Sequence, residues 1–145
     1  MGKWIVVAAL TLLSPVAFAA PPWASSFTGQ LNASAMKCKF AARLEAQAEI
    51  NAMRLTRVTR RVEQPDAKYA DQYVKACGES AKEGRDAFNA ALPAAGDDAP
   101  HVKAVYAAWL TYMDAIDPGV DVDSTPAKTA YDQAMNEMFV EIDGQ

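Results

Sequence analysis

Apolar residues recur along most of this chain at steps of three and four positions, which is the period of an amphipathic α-helix. The first such segment begins near residue 32 and stops before Pro65, so the pattern predicts a first helix over about 32–62. The apolar residues that share one face of this helix are Leu44, Ala48, Leu55, Val58 and Val62. We expect that face to be buried.

Three further segments repeat the pattern, over about 65–92, 99–117 and 126–142. The second helix aligns Ala70, Tyr73, Cys77, Ala81, Gly84, Phe88 and Ala91. The third aligns Val102, Val105, Tyr106, Trp109, Met113 and Ile116, and the fourth aligns Tyr131, Ala134, Met135, Met138, Phe139 and Ile142. No segment alternates as a strand does. The sequence therefore predicts an all-α, bundle-like single domain of four helices, and the short connections favour an up-down order.

Residues 1–19 have the pattern of a cleaved signal peptide. Lys3 supplies the positive charge, residues 4–13 form an apolar run, and Ala17 and Ala19 provide the small residues that precede a cleavage site. The product is predicted to be periplasmic or secreted, without stable membrane insertion after cleavage. An uncleaved membrane anchor is the alternative, but the apolar run is shorter than the roughly 20 residues that a spanning helix needs.

Residues 20–31 lie between the predicted cleavage site and the first predicted helix. Pro21 and Pro22 disfavour helix, so this segment is predicted to be an extended lead-in to a helical domain over 32–145. Trp23 and Phe27 are the apolar residues that would hold such a lead-in against the domain.

The two cysteines, Cys38 and Cys77, are predicted to form a disulfide, because exported domains usually pair their cysteines. Free thiols or an intermolecular bond are the alternatives. Helix geometry complicates the pairing: Cys38 precedes Val62 by about 36 Å of helix, whereas Cys77 follows Pro65 by only about 18 Å. A straight hairpin would separate the cysteines by roughly 18 Å. We therefore predict a break in the first helix or at Gly78 in the second.

Charge is unevenly distributed along a chain whose formal net charge is −4. Residues 20–96 contain 11 basic and 8 acidic residues, whereas residues 97–145 contain 2 basic and 10 acidic residues. An acidic exported protein is a poor candidate for nucleic-acid binding, so no nucleic-acid partner is expected. The imbalance instead indicates that the two halves attract each other, within one molecule or between two copies.

Few residues are of the types that enzymes and cofactor sites require. The chain has one histidine, His101, with no evident partner, and no sequence motif pairs a nucleophile with a base or attaches haem or a di-iron centre. We therefore predict a protein that is not an enzyme and needs no cofactor. A weak cation site in the loop that contains Asp117, Asp121 and Asp123 is the metal-binding alternative, although the loop does not match an EF-hand.

A run of arginines in the first helix suggests a binding surface. Projected on a helical wheel, five cations fall within an arc of roughly 60°. They are Lys39, Arg43, Arg54, Arg57 and Arg61, which we call the basic band. One interpretation is that the band is solvated or is neutralised by the acidic half of the same molecule or of a second copy, as in a homodimer. The other is that the band recognises an acidic partner, for which arginine geometry is well suited.

Together these features predict a small exported helical protein that acts by protein–protein recognition, such as an inhibitor, an immunity factor or an accessory subunit of an envelope system. The basic band or the acidic loop over 114–123 would provide charge complementarity, and Trp23 and Tyr112 are the candidate aromatic anchors. The alternative is a carrier that holds a small ligand, haem or a metal in the helical core.

Overall fold

The computed structural model describes residues 20–144 and confirms an all-α fold of four helices; the predicted signal peptide lies outside the described residues. The helices are α1 (Pro22–Thr59), α2 (Ala67–Ala94), α3 (Ala99–Asp114) and α4 (Pro126–Asp143). Short 3₁₀ turns, Gly96–Asp98 and Val122–Ser124, precede α3 and α4. The described part of the chain contains no strand, and none of its helices has the length and apolar character that crossing a membrane requires.

Helix α1 begins ten residues earlier than the sequence predicts, so the extended lead-in over 20–31 is wrong. Pro22 occupies the first turn of the helix, where the missing amide hydrogen removes no intrahelical hydrogen bond and the fixed φ suits the helix. The segment that follows buries Ala24, Phe27 and Leu31 at helical spacing. Proline therefore starts this helix instead of preventing it.

The buried face of α1 is also not the predicted one. It is formed by Ala24, Phe27, Thr28, Leu31, Ser34, Ala35, Cys38, Ala41, Ala42 and Ala52. Of the predicted face, Leu44 and Ala48 are half-buried, whereas Leu55, Val58 and Val62 are 53%, 81% and 82% exposed. The larger side chains define the apolar stripe in the sequence, but the other helices pack on a stripe of smaller residues that allows closer approach.

The core lies between the N-terminal half of α1 and the other three helices. Its largest fully buried side chains are Trp109, Tyr131, Phe27, Leu31, Met138, Val102 and Val105. The indole nitrogen of Trp109 donates a hydrogen bond to the Leu31 carbonyl at 2.9 Å, and its ring fills the space above Gly84 of α2. Helices α1, α2 and α3 meet at this tryptophan.

Helix α4 packs mainly on α3 and is joined to α1 by side-chain contacts. Just before α4 begins, Asp123 binds Lys39 of α1, and within the helix the Tyr131 hydroxyl donates to Asn32 Oδ1 at 3.0 Å. Thr125 caps the helix by accepting a hydrogen bond from the Lys128 amide. Tyr131 and the loop before α4 therefore join α4 to the N-terminal half of α1.

The predicted disulfide between Cys38 and Cys77 is present, with the two Cα atoms 4.5 Å apart. Both helices that carry it are continuous, so the predicted break in α1 or at Gly78 is wrong. About 32 Å of helix separates Cys38 from Thr59, and about 15 Å separates Ala67 from Cys77. The linker makes up the difference, because seven extended residues can span about 23 Å.

The linker over 60–66 reverses direction and runs back along the end of α1. Arg60 adopts the left-handed conformation that ends the helix, with φ 56°. Beyond it, the Glu63 amide donates to Thr56 Oγ1 at 2.9 Å, which fixes the linker against the preceding helical turns. The prediction of a break assumed that the two helices meet directly at their ends, and this linker removes that assumption.

The last turns of α1 extend beyond the rest of the molecule. α1 is about 57 Å long, whereas α3 and α4 are about 24 and 27 Å long. We call residues 50–66 the arm and the remaining described part of the molecule the body. Ala52 is the one buried residue in the arm.

Candidate partner-binding surface

The N-terminal part of the basic band is covered by the acidic loop of the same molecule. Lys39 Nζ lies 2.6 Å from both carboxylate oxygens of Asp123, and its side chain is only 16% exposed. Arg43 approaches the same carboxylate at 3.6 Å. The hydrogen bond from Lys39 is the main cause that lowers the pKa of Asp123. Lys39 and Arg43 therefore hold the loop before α4 against α1.

A concave corner forms where the arm leaves the body. It has a volume of about 430 Å³ and lies between the outer side of α1 and the loop that follows α3. The apolar residues that line it are Ala42, Ala46, Ile50, Ile116, Val120 and Val122, and the polar ones include Arg43, Gln47, Asp117 and Asp121. The corner is continuous with the basic band, because Ile50 precedes Arg54 by one helical turn.

The distal part of the band is open. Arg54 and Arg57 lie on the last turns of α1, Arg61 lies in the linker, and all three are exposed. Within residues 20–144, no carboxylate forms an ion pair with any of them or with Arg60. Residues 50–62 contain these four arginines and no acidic residue. Asp123 therefore contacts one end of the basic band and leaves the other end exposed.

Large apolar side chains accompany the open arginines. The exposed ones in the arm are Ile50, Met53, Leu55, Val58 and Val62. A groove of about 540 Å³ runs between the end of α1 and the returning linker, lined by Glu49, Ala52, Met53, Thr56, Arg57, Val62, Glu63 and Pro65. Exposed apolar groups beside unpaired cations are typical of a surface that binds a partner.

Apolar periodicity predicts Leu55, Val58 and Val62 in the core, whereas the structure exposes them, and Phe40 of α1 is 64% exposed as well. Helical periodicity gives no signal of this exposure, because Leu55 and Val58 fall outside the arc of the cations, on the face that an amphipathic helix would bury.

The two predicted aromatic anchors are not available on the surface. Trp23 is half-buried and packs against the core, and Tyr112 is buried and stacks on Tyr131 with the ring centroids 5.6 Å apart. Burial, together with the nearby charges of Asp123 and Asp132, raises the pKa of Tyr112 to about 12. Both residues stabilise the body, so we remove them from the candidate surface.

Two aspartates of the acidic loop contact neighbouring side chains. Asp123 is held by Lys39, and Asp121 accepts a hydrogen bond from Ser124 Oγ at 2.8 Å. Among residues 20–144, no three histidine, cysteine or carboxylate side chains are grouped as metal ligands would be. This arrangement gives no support to the weak cation site predicted at Asp117, Asp121 and Asp123, and Asp123 instead closes the loop on α1.

Comparisons with protein-family models, with curated proteins and with solved structures found no match for this chain. The functional interpretation therefore rests on the chemistry of the arm and of the body.

Proposed function

We propose that this chain is an exported binding protein that recognises an acidic surface of another protein through its arm. Inhibitors, immunity factors and accessory subunits of envelope systems are the classes of protein that such a role fits. The disulfide between Cys38 and Cys77 is compatible with export. The role requires binding and no catalytic group.

One observation carries the proposal: Arg54, Arg57 and Arg61 are exposed together and none of the described carboxylates pairs with them. Asp123 of the same molecule pairs with Lys39 and, at 3.6 Å, with Arg43, whereas no described carboxylate pairs with the arginines of the arm. The open part is thus a surface with a defined sign of charge and no internal partner.

The chemistry of the arm suits protein recognition. Guanidinium groups bind carboxylates with two parallel hydrogen bonds, and a one-signed patch accelerates the encounter with an oppositely charged partner. Val58 and Leu55 lie between the arginines and would lose contact with water on binding, which adds affinity. The disulfide and the hydrogen bonds of the linker hold this surface in place before binding, so less conformational entropy is lost.

The alternative, a carrier that holds a ligand between the helices, receives less support. Phe27, Leu31, Trp109, Tyr131 and Met138 are fully buried and occupy the space between the helices of the body. The corner at the base of the arm is an open concavity of about 430 Å³ on the surface. We therefore favour recognition by the surface of the arm.

The test compares two triple variants of equal charge change. In the first, Arg54→Gln, Arg57→Gln and Arg61→Gln neutralise the arm. In the second, Lys82→Gln, Arg85→Gln and Lys103→Gln remove three exposed cations from the body. Each variant and the wild type are immobilised, challenged with envelope and secreted proteins of the source cells, and washed at low and high salt. Captured proteins are identified by mass spectrometry.

We expect a partner that binds the wild type and the body variant, is lost from the arm variant, and dissociates from the wild type as salt rises. A partner that binds all three proteins equally at every salt concentration would show that the arm arginines do not carry recognition.

A further inference from the structure

The corner at the base of the arm has two apolar walls. Helix α1 contributes Ala42, Ala46 and Ile50, and the loop after α3 contributes Val120 and Val122. Ile50 and Val120 are 39% and 48% exposed, so both walls leave apolar surface in contact with water. The volume of about 430 Å³ is within the range of roughly 300–1,000 Å³ that ligand-binding pockets have. The corner therefore has room for a large apolar group and apolar surface to bury against it.

The charged side chains that line the corner balance one another. Lys39 and Arg43 come from α1, and Asp117 and Asp121 come from the loop after α3. Lys39 is already held by Asp123. A charged group in the corner would meet a like charge as well as an opposite one, so the corner favours an uncharged apolar group.

The balance of charge ends where the arm begins, since residues 50–62 contain four arginines and no acidic residue. Helix α1 is continuous from the corner into the arm. At 100° per residue, Arg43, Ala46, Arg54 and Arg57 lie within roughly 40° of Ile50 around the helix axis. The corner and two arginines of the arm therefore share one face of α1. Along the axis, Arg54 and Arg57 lie about 12 and 17 Å from Ala46.

We propose that the corner is the anchor site for a large apolar side chain of the protein partner, and that this side chain belongs to an acidic segment whose carboxylates bind Arg54 and Arg57. The carboxylates then lie about 12–17 Å from the anchor, which is the separation of the two arginines from Ala46. Large side chains that fill a pocket carry much of the binding energy of protein interfaces. The inference rests on the proposed function and adds the apolar anchor to the acidic surface of the partner.

Charge complementarity and apolar burial together decide which kind of segment fits. A basic segment would place like charges along the arm, which is unfavourable. A neutral apolar segment would fill the corner and leave the arginines unpaired. An acidic segment without a large apolar residue would leave Ile50 and Val120 in contact with water. A segment that has both features uses the whole face.

The first experiment selects peptides from a random display library on the immobilised mature protein at low salt. We expect the enriched peptides to combine aspartate or glutamate with one tryptophan, phenylalanine or leucine at a fixed separation. The same selection on the variant with Arg54→Gln, Arg57→Gln and Arg61→Gln is expected to enrich no acidic peptide. Acidic peptides that share no apolar position would overturn the inference, although they would support the proposed function.

The second experiment measures the Kd of an enriched peptide by fluorescence anisotropy. Ala46→Trp fills part of the corner and is expected to raise the Kd about ten- to a hundredfold, because the anchor then stays in water. Its control is Ala90→Trp at an exposed position of α2. Val120→Asn makes one wall polar at an exposed position and should also raise the Kd. Its control, Val74→Asn, changes a valine of α2 that is 70% exposed and outside the corner.

A change in the peptide shows whether its apolar residue occupies the corner. Replacing that residue by alanine is expected to weaken binding to the wild type and to have little further effect on binding to Ala46→Trp, because the two changes remove the same contact. Additive effects of the two changes would place the apolar residue elsewhere and would overturn the inference.

Two results separate the inference from the proposed function. Corner variants that bind the peptide as tightly as the wild type, while the arm variant does not, would overturn the inference and leave the proposed function standing. A peptide that the arm variant binds as tightly as the wild type would overturn the proposed function and the inference that rests on it. Circular dichroism on each variant establishes that the helices are intact.

Other occupants of the corner are tested with the same variant. Sedimentation velocity is expected to give the same mass for the wild type and for Ala46→Trp. A dimer that this substitution dissociates would overturn the inference, because a second copy would then fill the corner. Vesicles of phosphatidylcholine and phosphatidylglycerol provide an anionic lipid surface. Vesicle binding that Ala46→Trp abolishes would overturn the inference in favour of a lipid.

Discussion

The two halves of α1 have the same secondary structure and opposite surroundings. In the body, Phe27, Leu31 and Cys38 are almost completely buried by the other helices. In the arm, the same helix continues to Thr59 with Ala52 as its one buried residue. A regular helix therefore does not imply a buried apolar face, and the large apolar residues of the arm contribute little to the free energy of folding.

The difference between the halves also determines what each can do. Body residues are fixed by packing, so substitutions there act on stability. Arm residues are exposed and held in place by the disulfide, by the Thr56–Glu63 hydrogen bond and by the helix itself. The arm can change its surface chemistry without loss of the fold, which is what a recognition surface needs.

The largest effect is expected from the disulfide, since the chain between Cys38 and Cys77 contains the whole arm. Replacing both cysteines by alanine releases a loop of 39 residues, for which the chain-entropy model gives a loss of about 4 kcal/mol in the free energy of unfolding. Urea denaturation measures this loss. Hydrogen exchange is expected to accelerate more in the arm than around Trp109.

Reductant provides the control for this prediction. It should shift the urea midpoint of the wild type by about the same amount and leave the double alanine variant unaffected. Equal acceleration of exchange in the arm and in the body would contradict the idea that the bond mainly fixes the arm.

The contrast within α1 is tested most directly by one substitution at two sites. Leu31→Ala empties a fully buried position and is expected to lower the free energy of unfolding by about 2–5 kcal/mol. Leu55→Ala changes a residue that is 53% exposed, and its effect is expected to stay within about 0.5 kcal/mol. Urea denaturation measures the free energy of unfolding of both variants. Similar losses of this free energy would mean that the arm is packed as tightly as the body.

The number and order of the helices were predictable from the sequence because apolar periodicity and prolines at helix boundaries are local signals. The start of α1 was not, since the sequence does not state whether Pro22 ends a lead-in or opens a helix. Which face of α1 is buried depends on the helices that pack against it. They pack on alanines and Cys38 and leave Leu55 and Val58 exposed. That information lies in tertiary contacts.

The candidate site was predictable in part for the same reason. The wheel placed Arg54 and Arg57 on one side of α1, and the charge count indicated an acidic counterpart. The cations that Asp123 contacts are determined by where the loop before α4 packs on α1. The position of the arm is determined by the path of the linker. Neither follows from helical periodicity.

A smaller effect is expected at the glycines of α2, with opposite signs at two sites. A Cβ atom at Gly84 would overlap the ring of Trp109, so Gly84→Ala is expected to destabilise the body by about 1–3 kcal/mol. Nothing lies within 4 Å of a Cβ at Gly78, which is exposed, and Gly78→Ala should stabilise α2 by about 1 kcal/mol. Thermal unfolding followed by circular dichroism compares them; destabilisation by Gly78→Ala would show that α2 bends at that glycine.

The smallest effects concern pH, at Asp123 in the loop before α4 and at Glu45 in α1. Hydrogen bonding to Lys39 lowers the pKa of Asp123, so its stabilising contribution is present at neutral pH and is lost as the pH falls through that lowered pKa. Burial, with the charges of Glu49 and Asp117, raises the pKa of Glu45, so the protein loses stability as Glu45 ionises with rising pH.

Two neutralising variants should therefore have opposite signs at neutral pH. Asp123→Asn is expected to lower the free energy of unfolding and Glu45→Gln to raise it, each by less than about 1 kcal/mol because Asp123 is exposed and Glu45 is only half-buried. Below the pKa values of both groups the variants and the wild type should converge, since the carboxylates are then protonated in all folded and unfolded forms. Urea midpoints across the acidic range measure the convergence. A difference for Asp123→Asn that persists in acid would show that the substitution acts mainly through something other than loss of the Lys39 ion pair.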